Sequence, residues 1–147
     1  MTLPEHKHLI IRAEVEDPPG VHDQLLIQNW VHRLIKEIDM KILAGPVCRY
    51  VKKEGNKGLT CVAIIETSHI ALHVWEEHEP PLIQLDVYTC GPFTPIKVFD
   101  AIKEFKPVKL GWKYLDREHD LNTVDIGSWH EGSPWPNKSS LIEPAVG

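Results

Sequence analysis

The residues able to do chemistry crowd into one stretch of the chain, Thr60 to Gly91. It contains Glu66-Thr67-Ser68-His69-Ile70-Ala71-Leu72-His73, followed by Asp86-Val87-Tyr88-Thr89-Cys90-Gly91. His69 and His73, four residues apart, have the residue type of a metal pair. On a helix that spacing brings two imidazoles together, but on a strand it parts their Cα atoms by about 13 Å. The Ile, Val and Trp around them favour a strand, so hydrogen-bonded strand histidines are the plainer reading and no metal is expected. Ser68, His73 and Cys90 offer a second constellation: nucleophile, base and acid. A serine and a histidine five residues apart lie on opposite faces of an unbroken strand, so they meet only if the chain turns or bulges between them. The sequence has no Gly-rich phosphate loop and no Gly-x-Ser-x-Gly elbow.

The elements that must position these groups are legible in the hydrophobic pattern. Leu9 to Val15 reads as a strand ending at Asp17-Pro18-Pro19-Gly20. From His22 to Met40, Leu26, Trp30, Leu34 and Ile38 recur every fourth residue beside Val31 and Ile35, the apolar face of an amphipathic helix. A strand over Ile42 to Val51 leads into the polar loop Lys52 to Gly58. Two segments with strict alternation follow. In the first, Ile70, Leu72 and Val74 oppose His69, Ala71, His73 and Trp75; in the second, Ile83, Leu85 and Val87 oppose Gln84, Asp86, Tyr88 and Cys90. Thr94-Pro95 opens a helix to about Phe105, and Val108 to Tyr114 is a last strand. The order β-α-β, further strands, then α-β predicts an α+β fold: a two-layer α/β sandwich, mainly antiparallel, with helices packed on one face. The opposite face, rich in histidine with Asp86, Tyr88 and Cys90, is then either a site or a surface covered by a second subunit. Residues 1–119 form the expected domain, and 120–147 read as a loosely attached polar tail with Pro, Ser, Trp129 and Trp135.

Composition removes several classes of function. The 147 residues fit one domain, and 42 % hydrophobic with 25 % charged residues is globular rather than disordered. Sixteen basic against 21 acidic residues leave a net charge of −5 with no basic run, which argues against nucleic acid as partner. Cys48, Cys61 and Cys90 are odd in number and lack CxxC spacing, so a reducing compartment is expected. The start of the chain is too polar for a signal peptide, and no apolar run approaches the roughly 18 residues of a membrane span. The expectation is a cytoplasmic protein with no membrane partner.

Ser68-His69-Ile70-Ala71-Leu72-His73-Val74-Trp75, followed by Leu85-Asp86-Val87-Tyr88-Thr89-Cys90-Gly91, resembles the signature of the S-adenosylmethionine decarboxylase family, most closely its short prokaryotic branch, over roughly Lys7 to Glu118. The resemblance implies a proenzyme that cuts itself at Thr67–Ser68 and pairs as a homodimer. Ser68 would attack the Thr67 carbonyl, and elimination and hydrolysis would leave a covalent pyruvoyl group derived from Ser68. Thr60 matches a hydroxyl that steadies the oxyanion, and His73 a histidine that assists processing. The pyruvoyl carbonyl would form a Schiff base with a small-molecule amine and accept electrons as carbon dioxide leaves, with Cys90 as proton donor. Glu14, Glu66 and Tyr50 fall at or beside expected substrate-binding positions. The implied activity is decarboxylation of S-adenosylmethionine to the aminopropyl donor for spermidine. The sequence departs from the family at Thr67, where a glutamate is usual, and at Val47, where an aromatic ring is expected. Two alternatives stay open: a pyruvoyl decarboxylase of ornithine or arginine, and a non-cleaving member with a binding role.

Overall fold

The computed structural model describes residues 5–142. In chain order the elements are β1 (Lys7–Val15), α1 (Gln24–Glu37), β2 (Ile42–Val51), β3 (Gly58–Ile65), β4 (Ser68–Trp75), β5 (Leu82–Thr89), α2 (Pro95–Ile102) with a 3-10 turn at Lys103–Phe105, β6 (Pro107–Asp116), β7 (Asn122–His130) and α3 (Ser139–Ile142). The seven strands form one antiparallel sheet in the order β2-β3-β4-β5-β1-β6-β7. This is the α+β, two-layer architecture expected from the alternation.

One residue in two points into the helix layer. Leu9, Ile11, Ala13 and Val15 of β1, Ile70, Leu72 and Val74 of β4, and Ile83, Leu85 and Val87 of β5 are all buried. Against them pack Ile27, Trp30, Val31, Leu34 and Ile35 of α1 and Val98, Phe99 and Ile102 of α2. Each such side chain contributes on the order of 1.5–3 kcal/mol by leaving water, so this face fixes the register of every strand. Trp30 ties the helices together, its indole N–H donating to the Ala101 carbonyl at 3.0 Å. The first helix stops at Glu37, short of the expected Met40. Asp39 adopts the left-handed conformation (φ 58°), and the Met40 N–H returns to the Ile35 carbonyl at 2.9 Å, turning the chain into β2. Thr94 precedes α2 as expected, but its hydroxyl makes no capping bond.

Residues 120–142 of the expected tail are not loosely attached. Residues 122–130 form β7, paired with β6 from Lys109↔His130 to Asp116↔Asn122. The Trp112 ring lies over Gly127, where an added Cβ would fall 2.3 Å from it, and its N–H donates to Asp125 at 3.0 Å. The chain then crosses α2: Trp135 stacks edge-on to Trp129 at 5.0 Å and donates to Asp100 at 3.1 Å, while Leu141 is fully buried. The strand escapes a pattern reading because its inward residues are Asp125, Gly127 and Trp129, while Val124 and Ile126 are exposed.

Candidate active site

At one end of the sheet the loop joining β3 to β4 and the end of β5 meet around the Thr67–Ser68 bond. Ser68 begins β4 opposite Thr89, with φ 130°, a conformation rarely taken by residues other than glycine. The Thr67 carbonyl oxygen accepts the backbone N–H of Cys90 at 2.7 Å. That length suits a donor placed to hold developing negative charge on a carbonyl under attack. The Thr67 hydroxyl donates to the Met40 sulfur at 2.9 Å, and Gly91 lies beside the Thr67 methyl. A cleft of about 430 Å³ opens here, with Thr67, Gly91, Met40, Phe93 and Lys97 in its walls. The Cys90 side chain is half-buried, whereas Cys48 and Cys61 are sealed in the core, where burial pushes both thiols up. Glu66 is exposed, with its N–H on the Lys41 carbonyl at 2.9 Å.

At the other end of β4 stands a second set. Thr60 and His73 are directly opposed across β3 and β4, their Oγ1 and Nδ1 hydrogen-bonded at 3.1 Å. The Trp75 ring lies 6.0 Å from that of His73. Glu14 sits at the same end of β1, accepting from Arg12 at 2.7 Å, a bond that holds its carboxyl below the usual range. The strand between the two sets is unbroken, each residue of β4 paired in turn with β5. Five residues of strand put Ser68 and His73 about 17 Å apart, so no bulge brings them together. Tyr50 is also remote: it packs against the helix-side core, its hydroxyl donating to Glu76, rather than lying on the open face. Val47, by contrast, is 52 % exposed.

Between the two sets, on the open face, His8, His69 and Asp86 converge. His8 Nε2 and His69 Nε2 both reach Asp86 Oδ1, at 3.0 and 2.9 Å. Arg117 stacks on the Tyr88 ring at 3.9 Å, and its Nη1 donates to His8 Nδ1 at 3.2 Å. Because a guanidinium only donates, His8 keeps its proton on Nε2 for Asp86. Burial raises the Asp86 carboxyl, but the bonds from both histidines more than offset it and hold it below the usual range. Sequence reasoning named neither His8, Arg117 nor the Cys90 N–H, since each matters through a cross-strand neighbour that spacing along the chain does not encode.

An antiparallel sheet layered on one side by helices, with a strand that begins at Ser68 behind a carbonyl held by a backbone N–H, defines the class as a two-layer α+β protein. Residues 7–118 match the family described as S-adenosylmethionine decarboxylase, and the chain belongs to that family. The S-adenosylmethionine decarboxylase proenzyme of Archaeoglobus fulgidus is 31 % identical over 101 residues, covering 67 % of this chain and 88 % of that one. An arginine decarboxylase proenzyme of Aeropyrum pernix is 34 % identical over 70 residues, 46 % of this chain and 52 % of its own length. Among solved structures, the adenosylmethionine decarboxylase of Aquifex aeolicus shares the fold with a TM-score of 0.57 and 24 % identity, covering 82 % of this chain and 99 % of that one. Among the described residues no helix is long and apolar enough to cross a membrane.

Proposed function

We propose that the chain cleaves itself between Thr67 and Ser68 and then decarboxylates S-adenosylmethionine, feeding aminopropyl transfer to spermidine. The observation that carries this reading is the 2.7 Å contact from the Cys90 N–H to the Thr67 carbonyl, at the bond where Ser68 takes its strained φ. Ser68 Oγ attacks the Thr67 carbonyl carbon, the amide C–N bond breaks, and an ester forms with a free amino group on residue 68. Loss of the Cα proton and breakage of the Cβ–O bond release the Thr67 carboxylate, and water then replaces the nitrogen, which leaves as ammonia. The Cys90 N–H stabilises the oxyanion of the first step.

Thr60 on β3 and His73 on β4 lie too far from Ser68 to serve it within their own chain. They serve the other copy in a homodimer whose open faces pack together, so that each site takes Thr67, Ser68 and Cys90 from one chain and Thr60 and His73 from its partner. The face suits such burial: Ile10, Val62, Ile64 and Val47 are exposed on it. A pyruvoyl group needs no room beyond the Ser68 side chain, whose atoms it reuses, and the adjoining cleft admits a small molecule. When formed it supplies an electron-accepting carbonyl. Cys90 Sγ carries a proton to the carbon that carbon dioxide leaves, and Trp75 with Glu14 present an aromatic face and a carboxylate to the substrate. Glu66, exposed beside the cleft, stands in for the carboxylate that Thr67 lacks.

A second reading, decarboxylation of a basic amino acid, draws support from Val47 and from Tyr50 facing the core, which leave the open face short of one ring for an adenine. Carbon dioxide released by the purified protein from S-adenosylmethionine, arginine and ornithine discriminates the two. Release from S-adenosylmethionine alone is expected, with Ser68→Ala inactive. Release only from arginine or ornithine would overturn the substrate, and release undiminished in Ser68→Ala would overturn the mechanism.

A further inference from the structure

The cluster at the middle of the open face has a geometry that self-cleavage does not require. We propose that His8 Nε2, His69 Nε2 and Asp86 Oδ1 form a site for one divalent transition-metal ion of the zinc, cobalt or nickel class. The three ligand atoms, from β1, β4 and β5, lie within 4.8 Å of one another. Each imidazole nitrogen is 2.9–3.0 Å from the carboxylate oxygen. Two donors about 2.1 Å from one ion lie roughly 3.0–3.4 Å apart across an octahedral or tetrahedral edge, so the cluster needs little movement to close on an ion. The rings stand at 89° to each other, 6.0 Å between centroids, which aims both nitrogens at one point rather than stacking them. All three residues sit on central strands fixed by the core, so the site is held by the sheet and not by a loop. Two imidazoles and one carboxylate select a borderline transition metal over magnesium or calcium, which prefer all-oxygen sets. The remaining coordination positions fall to water, held at the face or trapped between the paired open faces.

Binding exchanges protons within the cluster without an outside reactant. Nε2 of each neutral histidine gives up its hydrogen-bonded proton to become a ligand, and Nδ1 of the same ring takes one. For His8 this displaces the Arg117 guanidinium, which now donates to Nδ1. The Arg117 side chain is exposed in the single chain, and both its charge and its contact with His8 oppose the ion. The pair His69 and His73 would have been the sequence's candidate for a metal; the sheet instead gives His69 a partner 61 positions earlier in the chain. The site is independent of the decarboxylase reading, because uptake of an ion does not require cleavage at Ser68.

The test is a titration of chelator-stripped, full-length protein with Co²⁺, followed by displacement with Zn²⁺. One Co²⁺ per chain is expected, with visible d–d absorption that Zn²⁺ abolishes. His69→Ala and Asp86→Asn should each weaken binding by about tenfold or more. His119→Ala, in the exposed group Asp116, Glu118 and His119, should leave it unchanged. Arg117→Ala should tighten it. His69 is 41 % exposed, so its removal spares the core, and circular dichroism verifies the fold. No stoichiometric uptake by the wild-type chain would overturn the proposal without any variant. So would uptake lost in His119→Ala but kept in His69→Ala and Asp86→Asn, or affinity that Arg117→Ala fails to tighten.

Discussion

Cys90 serves the site through its main-chain N–H, which grips the Thr67 carbonyl, and keeps a half-buried thiol beside it. The backbone role explains why a strand must end there, since a register slip of one residue would aim that N–H elsewhere. Near the same end of the sheet, Tyr114 is fully buried with no hydrogen-bond partner for its hydroxyl among the described residues. Burial, reinforced by the charges of Glu5 and Asp116, pushes its phenol up. A phenol whose folded value is raised contributes its full stability below the unfolded value of about 10 and loses it as pH rises beyond, because the unfolded chain sheds the proton first. Urea midpoints at neutral pH and above pH 10 should therefore fall more steeply with pH for the wild-type chain than for Tyr114→Phe. Equal slopes would contradict this account of Tyr114.

The strands that place the site owe their register to side chains on the other face of the sheet. At β7 this is tested by Gly127→Ala, whose methyl would drive into the Trp112 ring; a loss of about 2 kcal/mol is expected from denaturant unfolding, and an unchanged midpoint would mean β7 is not docked as described. The alternation of β4 and β5 made both strands and their buried faces legible in the sequence, because Ile70, Leu72 and Val74 and then Ile83, Leu85 and Val87 leave only one face to bury. β7 was illegible because a glycine covered by tryptophan, an aspartate taking an indole N–H and a partly buried Trp129 imitate no apolar stripe. The motif from Ser68 to His73 could be read as a family signature, but not how far apart its serine and histidine stand. Only an unbroken β4 shows that the serine and the histidine stand at opposite ends of one strand.

For the whole molecule, the proposed chemistry takes His73 from a second copy. If Ser68 of one chain meets His73 of another, co-expressing Ser68→Ala with His73→Ala restores cleavage that neither variant performs alone. Random pairing places about half of the serine-bearing chains beside an intact histidine, so up to about half of them should split. No splitting in the mixture, with both variants folded and paired, would overturn the meeting of Ser68 with the His73 of another copy. Residues 119–142, outside the matched family region, fit this arrangement by closing the β6 side of the sheet and strapping α2.

Intact mass of the purified chain under denaturing conditions tests the central claim most directly. The account predicts two polypeptides, one ending in the free carboxylate of Thr67 and one beginning at position 68 with a ketone that hydrazine captures. A single 16.8 kDa species in which position 68 is still an ordinary serine would contradict it.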